Sequence, residues 1–200
     1  MQQDMRSSAM VDGLLQSIAA AKEIGLPIVL WASMPCTGGS QMQNLNIARF
    51  GVTEKLLGHW KDFKVLWTSF QQIADSVHMA GGIIAIEWPV RCRYWQDPRV
   101  LRAVKKFALA KSVAAACMFG LRPQRSHLPN EFIGKQWRIS TNCAELAAAL
   151  QVRCDGSHQH VVTVAGETAA TSFYPRGFAD AVHKAVGLWS QRVPQQEQLR

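Results

Sequence analysis

The stretch of sequence that decides the fold is residues 26–40, LPIVLWASMPCTGGS. Its first part, residues 26–32, is continuously apolar apart from Pro27, which is typical of a strand buried on both faces of a parallel sheet. Its second part, residues 33–40, combines Pro, Cys, Thr and two Gly, which indicates a loop at the carboxyl end of that strand. Because ligands bind beyond the carboxyl ends of parallel strands, this loop is the first candidate site.

Helices and strands alternate on both sides of this first strand. Helical spacing of apolar residues predicts the helices, and short apolar runs bounded by turn residues predict the strands. We predict helices over residues 10–24, 53–79, 98–110, 144–150 and 177–190, strands over 26–32, 83–89, 112–119 and 137–142, and a loop over 36–46. This order is typical of an α/β fold, here part of a doubly wound, largely parallel sheet with helices on both faces.

Length and composition predict one intracellular domain. The chain has 200 residues, of which 48% are hydrophobic and 18% charged, which is enough apolar material for one core. We expect a single α/β domain over residues 10–193 between disordered ends, residues 1–9 and 194–200. Five irregularly spaced cysteines and a polar beginning favour reduced thiols in the cytoplasm or nucleus. The longest apolar runs are too short to span a membrane.

The basic balance of the chain indicates a polyanionic partner. The formal net charge is +8 and the isoelectric point is near 9.6. Such a balance favours polyanions, nucleic acid first, although a basic surface without a partner remains an alternative.

Two loops at strand ends carry groups that could do chemistry. Cys36 follows the first strand, and the glycines after it allow a substrate to come close to the backbone. Glu87 ends the strand over 83–89 and could exchange a proton in the same cleft. Cys36 is therefore a candidate nucleophile, with an inert thiol in a tight turn as the alternative. For Glu87 the alternative is a surface carboxylate paired with Arg91 or Arg93.

The order of these elements resembles the catalytic core of DNA cytosine-5 methyltransferases. The resemblance covers residues 26–142 and rests on Pro35-Cys36 after an apolar strand, then a long helix, then an apolar strand ending in Glu87. It implies a methyltransferase-like Rossmann sheet and S-adenosylmethionine as cofactor. It implies that Cys36 attacks a flipped-out cytosine, that Glu87 contacts and protonates the base, and that Arg138 is the counterpart of the family's arginine motif.

The chain departs from that family at three points. Met34 stands where the family has a first Pro before Pro-Cys, and Trp88-Pro89 stands where the family has Asn-Val. The glycine-rich segment that binds S-adenosylmethionine in the family does not appear before the Pro-Cys loop. We therefore expect a truncated or degenerate domain, such as a piece of a mobile element. It would act on DNA only when a partner chain or an upstream segment completes the sheet and supplies the cofactor half.

A second group of candidate residues is typical of metal sites. Cys154, His158 and His160 lie within seven residues, and Cys143 lies eleven residues upstream. Four such ligands would complete a tetrahedral zinc site, although the spacing is not that of a standard finger. A structural zinc in a non-catalytic nucleic-acid-binding module is therefore the alternative function. A polar turn flanked by exposed histidines is the alternative interpretation of the segment.

Arginines and aromatic residues alternate after the second strand. Arg91, Arg93, Tyr94 and Trp95 combine guanidinium groups with rings, which can hold a phosphate and stack a base. The alternative is a loop whose rings pack on the sheet while its arginines stay in solvent.

Overall fold

The structure is a computed structural model that describes residues 4–123, 130–161 and 173–197. Helices and strands alternate along the chain, as expected for the α/β class. The helices are α1 (Ser8–Glu23), α2 (Met42–Phe50), α3 (Glu54–Met79), α4 (Pro98–Lys106), α5 (Ala144–Leu150) and α6 (Arg176–Glu197). The strands are β1 (Val29–Ala32), β2 (Ile83–Pro89), β3 (Ala110–Ala115), β4 (Glu131–Ile133), β5 (Gln136–Thr141) and β6 (Gln159–Val161).

The chain divides into two compact units. The first consists of Met1–Ala110 with Ser140–Asn142, and the second of Lys111–Ile139 with Cys143–Arg200. Four strands form a sheet in the order β1-β2-β5-β3, and β4 and β6 form a separate parallel pair.

In the first unit, β1 and β2 are parallel neighbours, with Val29 opposite Ile83 and Ala32 opposite Ile86. The long helix α3 connects them after α2. Thr53 caps α3, because its hydroxyl accepts the Leu56 N–H at 3.3 Å. The C-terminal ends of β1 and β2 consequently lie at the same edge of the sheet, where the two candidate loops begin.

The sheet is mixed, which corrects the expectation of a largely parallel sheet. Asn142, one residue past the end of β5, donates its backbone N–H to the Ile84 carbonyl at 3.3 Å. Its side-chain oxygen accepts the Ile84 N–H at 2.7 Å. The end of β5 therefore lies beside the start of β2, and the two strands run in opposite directions.

Aromatic side chains fill the core of the first unit. Trp67 and Trp88 are at most 1% exposed, and their ring centroids are 6.1 Å apart. Phe63 lies 5.9 Å from Trp67 and stacks on Tyr94. These rings join α3 to β2 and to the loop that follows β2.

In the second unit, α6 packs on an aromatic residue of β5. Trp137 is 2% exposed and lies 5.0 Å from the ring of Phe178 in α6. Residue Val152 adds a short parallel bridge to Ala114 of β3. This bridge fixes the register of the segment that leads to Cys154.

Some predicted segments differ from the structure, and the helix predicted over 98–110 ends at Lys106. The expected loop over 36–46 contains the first part of α2, which begins where the Ser40 hydroxyl accepts the Met42 N–H and ends at Gly51, whose φ is +69°. The strand predicted over 112–119 ends at Ala115, and a 3₁₀ turn follows it. No helix in the described part of the chain is long and apolar enough to cross a membrane.

Candidate functional site

The loop after β1 is shaped by two glycines. The Gly39 N–H donates to the Cys36 carbonyl at 2.9 Å and closes a 3₁₀ turn. A Cβ at Gly38 would collide with the Tyr94 hydroxyl, and a Cβ at Gly39 would lie 2.7 Å from the sulfur of Cys92. Glycine is required at both positions because the loop after β2 packs directly on this turn.

Glu87 is buried, which excludes the surface carboxylate alternative. Its side chain is 5% exposed at the end of β2. The Ser33 hydroxyl donates to its Oε2 at 2.7 Å. Ser33 directly follows β1, so this hydrogen bond links the end of β1 to the Glu87 carboxylate on β2. The exposed Arg93 instead donates to the Asn44 side chain at 3.3 Å.

Cys36 and Glu87 lie in the same unit, and both influence the pKa of the same neighbouring thiol, that of Cys92. Burial above all, with smaller electrostatic contributions from Cys36 and Glu87, raises the pKa of Cys92 to about 12. Cys92 therefore stays protonated at neutral pH. Cys36 is half-buried and is the more accessible thiol of the two.

The two aromatic residues predicted to stack a base are core residues, which corrects that prediction. Tyr94 is 6% exposed and stacks on Phe63, with ring centroids 3.7 Å apart. Trp95 is 4% exposed and meets Trp88 edge to face at 4.9 Å. Neither ring presents a face to a ligand. Arg91 and Arg93 remain exposed, so only the arginines of this segment can contact a partner.

Arg138 belongs to the second unit, on β5. Its side chain is partly buried, and burial lowers its pKa from the ordinary value. Its role beside Cys36 and Glu87 stays a prediction.

Four side chains of types that can bind metal ions lie close together in the second unit. The ligand atoms of Cys117, Cys154, His158 and His160 are all within 4.8 Å of one another, so this cluster could hold a metal ion. The Cys154 sulfur is 3.6 Å from Nε2 of His158 and 3.5 Å from Nε2 of His160. The two Nε2 atoms are 3.1 Å apart. The same nitrogen of each ring thus faces a common centre.

The local sequence between the ligands explains how they converge. Gly156 has a φ of +75°, and its N–H donates to the Cys154 sulfur at 3.4 Å. This tight turn brings His158 back to Cys154. The Asp155 carboxylate lies 3.9 Å from Nδ1 of His158, and the Phe132 ring packs against the same imidazole. The carboxylate is on the side of the ring away from the cluster, where carboxylates orient metal-binding histidines.

The structure replaces one predicted ligand. Cys143 is the N-cap of α5: its sulfur accepts the Leu146 N–H at 3.5 Å and contacts Oε2 of Glu145 at 3.4 Å. The fourth position of the cluster belongs to Cys117, in the 3₁₀ turn after β3. Spacing in the sequence favours Cys143. Cys117 is brought to Cys154 by the bridge between β3 and Val152, and no sequence pattern predicts that bridge.

Comparison of the chain with protein-family models, with curated proteins and with solved structures found no match.

Proposed function

We propose that this protein is a nucleic-acid-binding domain whose second unit is stabilised by a structural zinc ion bound to Cys117, Cys154, His158 and His160. The observation that carries the proposal is the convergence of two sulfur and two imidazole nitrogen atoms within 4.8 Å. Among biological metals, a Cys₂His₂ set is typical of structural zinc.

The distances between the ligand atoms support this metal. For bonds of about 2.0–2.1 Å to nitrogen and about 2.3 Å to sulfur, tetrahedral geometry gives about 3.4 Å between two nitrogens and about 3.6 Å between sulfur and nitrogen. The corresponding separations are 3.1 Å and 3.5–3.6 Å. Four protein ligands fill the coordination sphere, which favours a structural ion over a catalytic one.

The charge of the chain supports nucleic acid as the partner. A net charge of +8 attracts a polyanion and gives binding that weakens as salt displaces the protein from the phosphates.

Metal analysis with two matched cysteine variants tests the zinc proposal. We expect one zinc per chain in the unmodified protein and in Cys143→Ser, and a loss of that zinc in Cys117→Ser. The controls are matched because both cysteines are buried in the second unit. Equal zinc content in the two variants would overturn the assignment, and a filter-binding salt series without any DNA or RNA retention would overturn nucleic-acid binding.

A second candidate function is cytosine-5 methyltransferase-like chemistry in the first unit. It is favoured by the positions of Cys36 and Glu87, because Cys36 follows β1 and Glu87 lies near the end of the neighbouring parallel strand β2. In this proposal Cys36 attacks the pyrimidine ring and buried Glu87 protonates the base. Arg138 lies in the second unit, on β5, and keeps only the role that the resemblance gives it. S-adenosylmethionine would come with a partner chain or further segment that completes the sheet.

A covalent trap tests this second candidate. A DNA duplex containing 5-fluorocytosine should form an adduct with the protein when a complementing cofactor domain and methyl donor are present. Cys36→Ser should abolish the adduct, whereas Cys154→Ser, which removes a thiol of the second unit, should leave it. An adduct that survives Cys36→Ser, or no adduct at all, would contradict the proposal.

A further inference from the structure

A polar groove lies in the second unit next to one of the metal-binding cysteines. Its volume is about 560 Å³, and Cys154 is part of its wall. Its polar side chains are those of Lys111, Gln136, Gln151 and Arg153. All four are exposed, so a ligand can reach them.

Strand geometry explains why these side chains line one surface. Successive side chains of a strand point to opposite faces, so Lys111 and Val113 of β3 share a face. Ser112 points the other way, where its hydroxyl donates to the Ala147 carbonyl of α5 at 2.7 Å. The parallel bridge between Ala114 and Val152 sets Gln151 and Arg153 on the groove side with Lys111.

The groove carries positive charge that no acid in its wall offsets. Neither Lys111 nor Arg153 takes part in an ion pair within residues 4–123, 130–161 and 173–197. No carboxylate is among the described residues that line the groove. A zinc ion bound by two thiolates and two neutral imidazoles would add no net charge, so the two cations would keep their full effect.

Gln151 adds an oriented donor to these cations. Its side-chain oxygen accepts the Val113 N–H at 2.8 Å. That bond fixes the amide plane and leaves its NH₂ group available to a ligand in the groove. Lysine, arginine and an amide NH₂ are all donors, which is the set that phosphate oxygens accept from.

We propose that this groove binds the phosphates of a nucleic-acid strand through Lys111, Gln151 and Arg153. The inference rests on the proposed nucleic-acid binding and names the surface that performs it. It also gives the metal a role in recognition. Arg153 immediately precedes the ligand Cys154, so a bound ion holds the segment that presents the guanidinium group.

The first test is a salt series of DNA and RNA strand binding by the zinc-loaded full chain. Each phosphate contact contributes about −0.9 to the slope of log K against log salt for duplex DNA and about −0.7 for single strands. Lys111→Ala with Arg153→Ala should therefore make the slope shallower by about 1.4–1.8 and weaken binding at least about tenfold at low salt. Lys184 is an exposed cation of α6 outside the groove, and Lys184→Ala is the control. It should change the salt slope and the affinity at low salt less than the double variant does.

The second test is Gln151→Glu. A glutamate can still accept the Val113 N–H, so the backbone bond that Gln151 makes is kept. It replaces the NH₂ donor by a negatively charged oxygen in the groove. We expect strand binding to fall at least as far as in the double variant, with zinc content unchanged.

The outcomes separate the two proposals. Strand binding that is unaffected by all the groove variants would overturn the groove and leave nucleic-acid binding intact. Absence of strand binding in the unmodified chain would overturn nucleic-acid binding itself. Inorganic phosphate, titrated alone, should bind only weakly. Saturation at low millimolar phosphate without any strand binding would identify a small-anion site and contradict the proposal.

Discussion

The two units of this protein have different kinds of stabilising contact. The first has a continuous core in which Trp67 and Trp88 are at most 1% exposed and contact further rings. The described part of the second has a smaller aromatic group, formed by Phe119, Trp137, Tyr174 and Phe178, and four side chains that could hold a metal ion. Apolar burial stabilises the first unit, and under the proposed function a zinc ion would supplement it in the second.

Two buried thiols show what separates an inert cysteine from a ligand. Burial raises the pKa of Cys92 to about 12 and that of Cys117 to about 11. The titratable groups whose charges act on Cys92 are Cys36 and Glu87, which offer no positive charge. Cys117 faces the sulfur of Cys154 and two imidazoles, and a metal ion among these groups would deprotonate the thiol. Neighbours, more than burial, determine the role of each cysteine.

Metal removal is the most direct test of the comparison between the two units. Binding to the folded state alone adds about 4 kcal/mol when free zinc is about 1,000 times Kd. We expect a chelator to lower the free energy of unfolding of the second unit by an amount of this order. Hydrogen exchange should show protection lost in β4, β6 and α5 and retained in α3 and β2. Equal loss in both sets of elements, or none in either, would contradict separate stabilisation.

Trp67→Ala is the corresponding change in the first unit. It removes a fully buried ring and should cost about 3–5 kcal/mol in urea unfolding, with zinc content unchanged. The Trp67 indole N–H has no hydrogen-bond partner in the described part of the chain. Trp67→Phe, which removes that group and keeps a ring, should therefore cost less than half as much. Zinc loss in Trp67→Ala would show that the two units depend on one another.

Local signals in the sequence predicted much of the first unit. The helix predicted over 53–79 and the strand over 83–89 match α3 and β2, because amphipathic spacing, the Thr53 cap and the following glycines act within a few residues. The positions of Cys36 and Glu87 at strand ends indicate both as candidates, and the parallel pairing of β1 and β2 brings these ends to one edge of the sheet.

Long-range pairing accounts for what the sequence did not reveal. The direction of β5 depends on contacts between residues 58 positions apart, such as Asn142 with Ile84. Cys117 becomes a candidate ligand only through the bridge at Val152, and Tyr94 is a core residue only because α3 presents Phe63 to it. Neither the composition of the chain nor the spacing of its residues predicts these contacts.

Gly156→Ala and Gly81→Ala introduce a similar backbone strain, one in each unit. Both Gly156 and Gly81 have positive φ, of +75° and +72°, and a Cβ at either would meet nothing within 4 Å. Each substitution should therefore cost about 1–2 kcal/mol through the backbone alone. Only Gly156 lies between metal ligands, so Gly156→Ala should weaken zinc affinity about tenfold and Gly81→Ala should leave it unchanged. Competition with a chromophoric chelator measures both, and equal affinities would exclude a role for this turn in metal binding.

The smallest expected effect is electrostatic and belongs to the first unit. Asp97 caps α4 by accepting the Arg99 N–H at 2.9 Å, and the Arg99 guanidinium donates to its carboxylate at 2.6 Å. These hydrogen bonds from Arg99 lower the pKa of Asp97, whereas burial opposes the shift. Because the folded pKa lies below the unfolded value of about 3.9, this stabilisation is present above that pH and disappears as the pH falls through the folded pKa.

Asp97→Asn isolates that charge, since asparagine is an equally good N-cap. The variant should lose at most about 1 kcal/mol between pH 5 and pH 8, because the pair is partly exposed to solvent. The difference from the unmodified protein should shrink below pH 4, where the carboxylate becomes protonated. Urea unfolding across this range, read from α3 and α4, measures it. A difference that persists at pH 2–3 would mean that Asp97 acts through packing. The Asp97–Arg99 ion pair would then make no measurable contribution to the stability of the first unit.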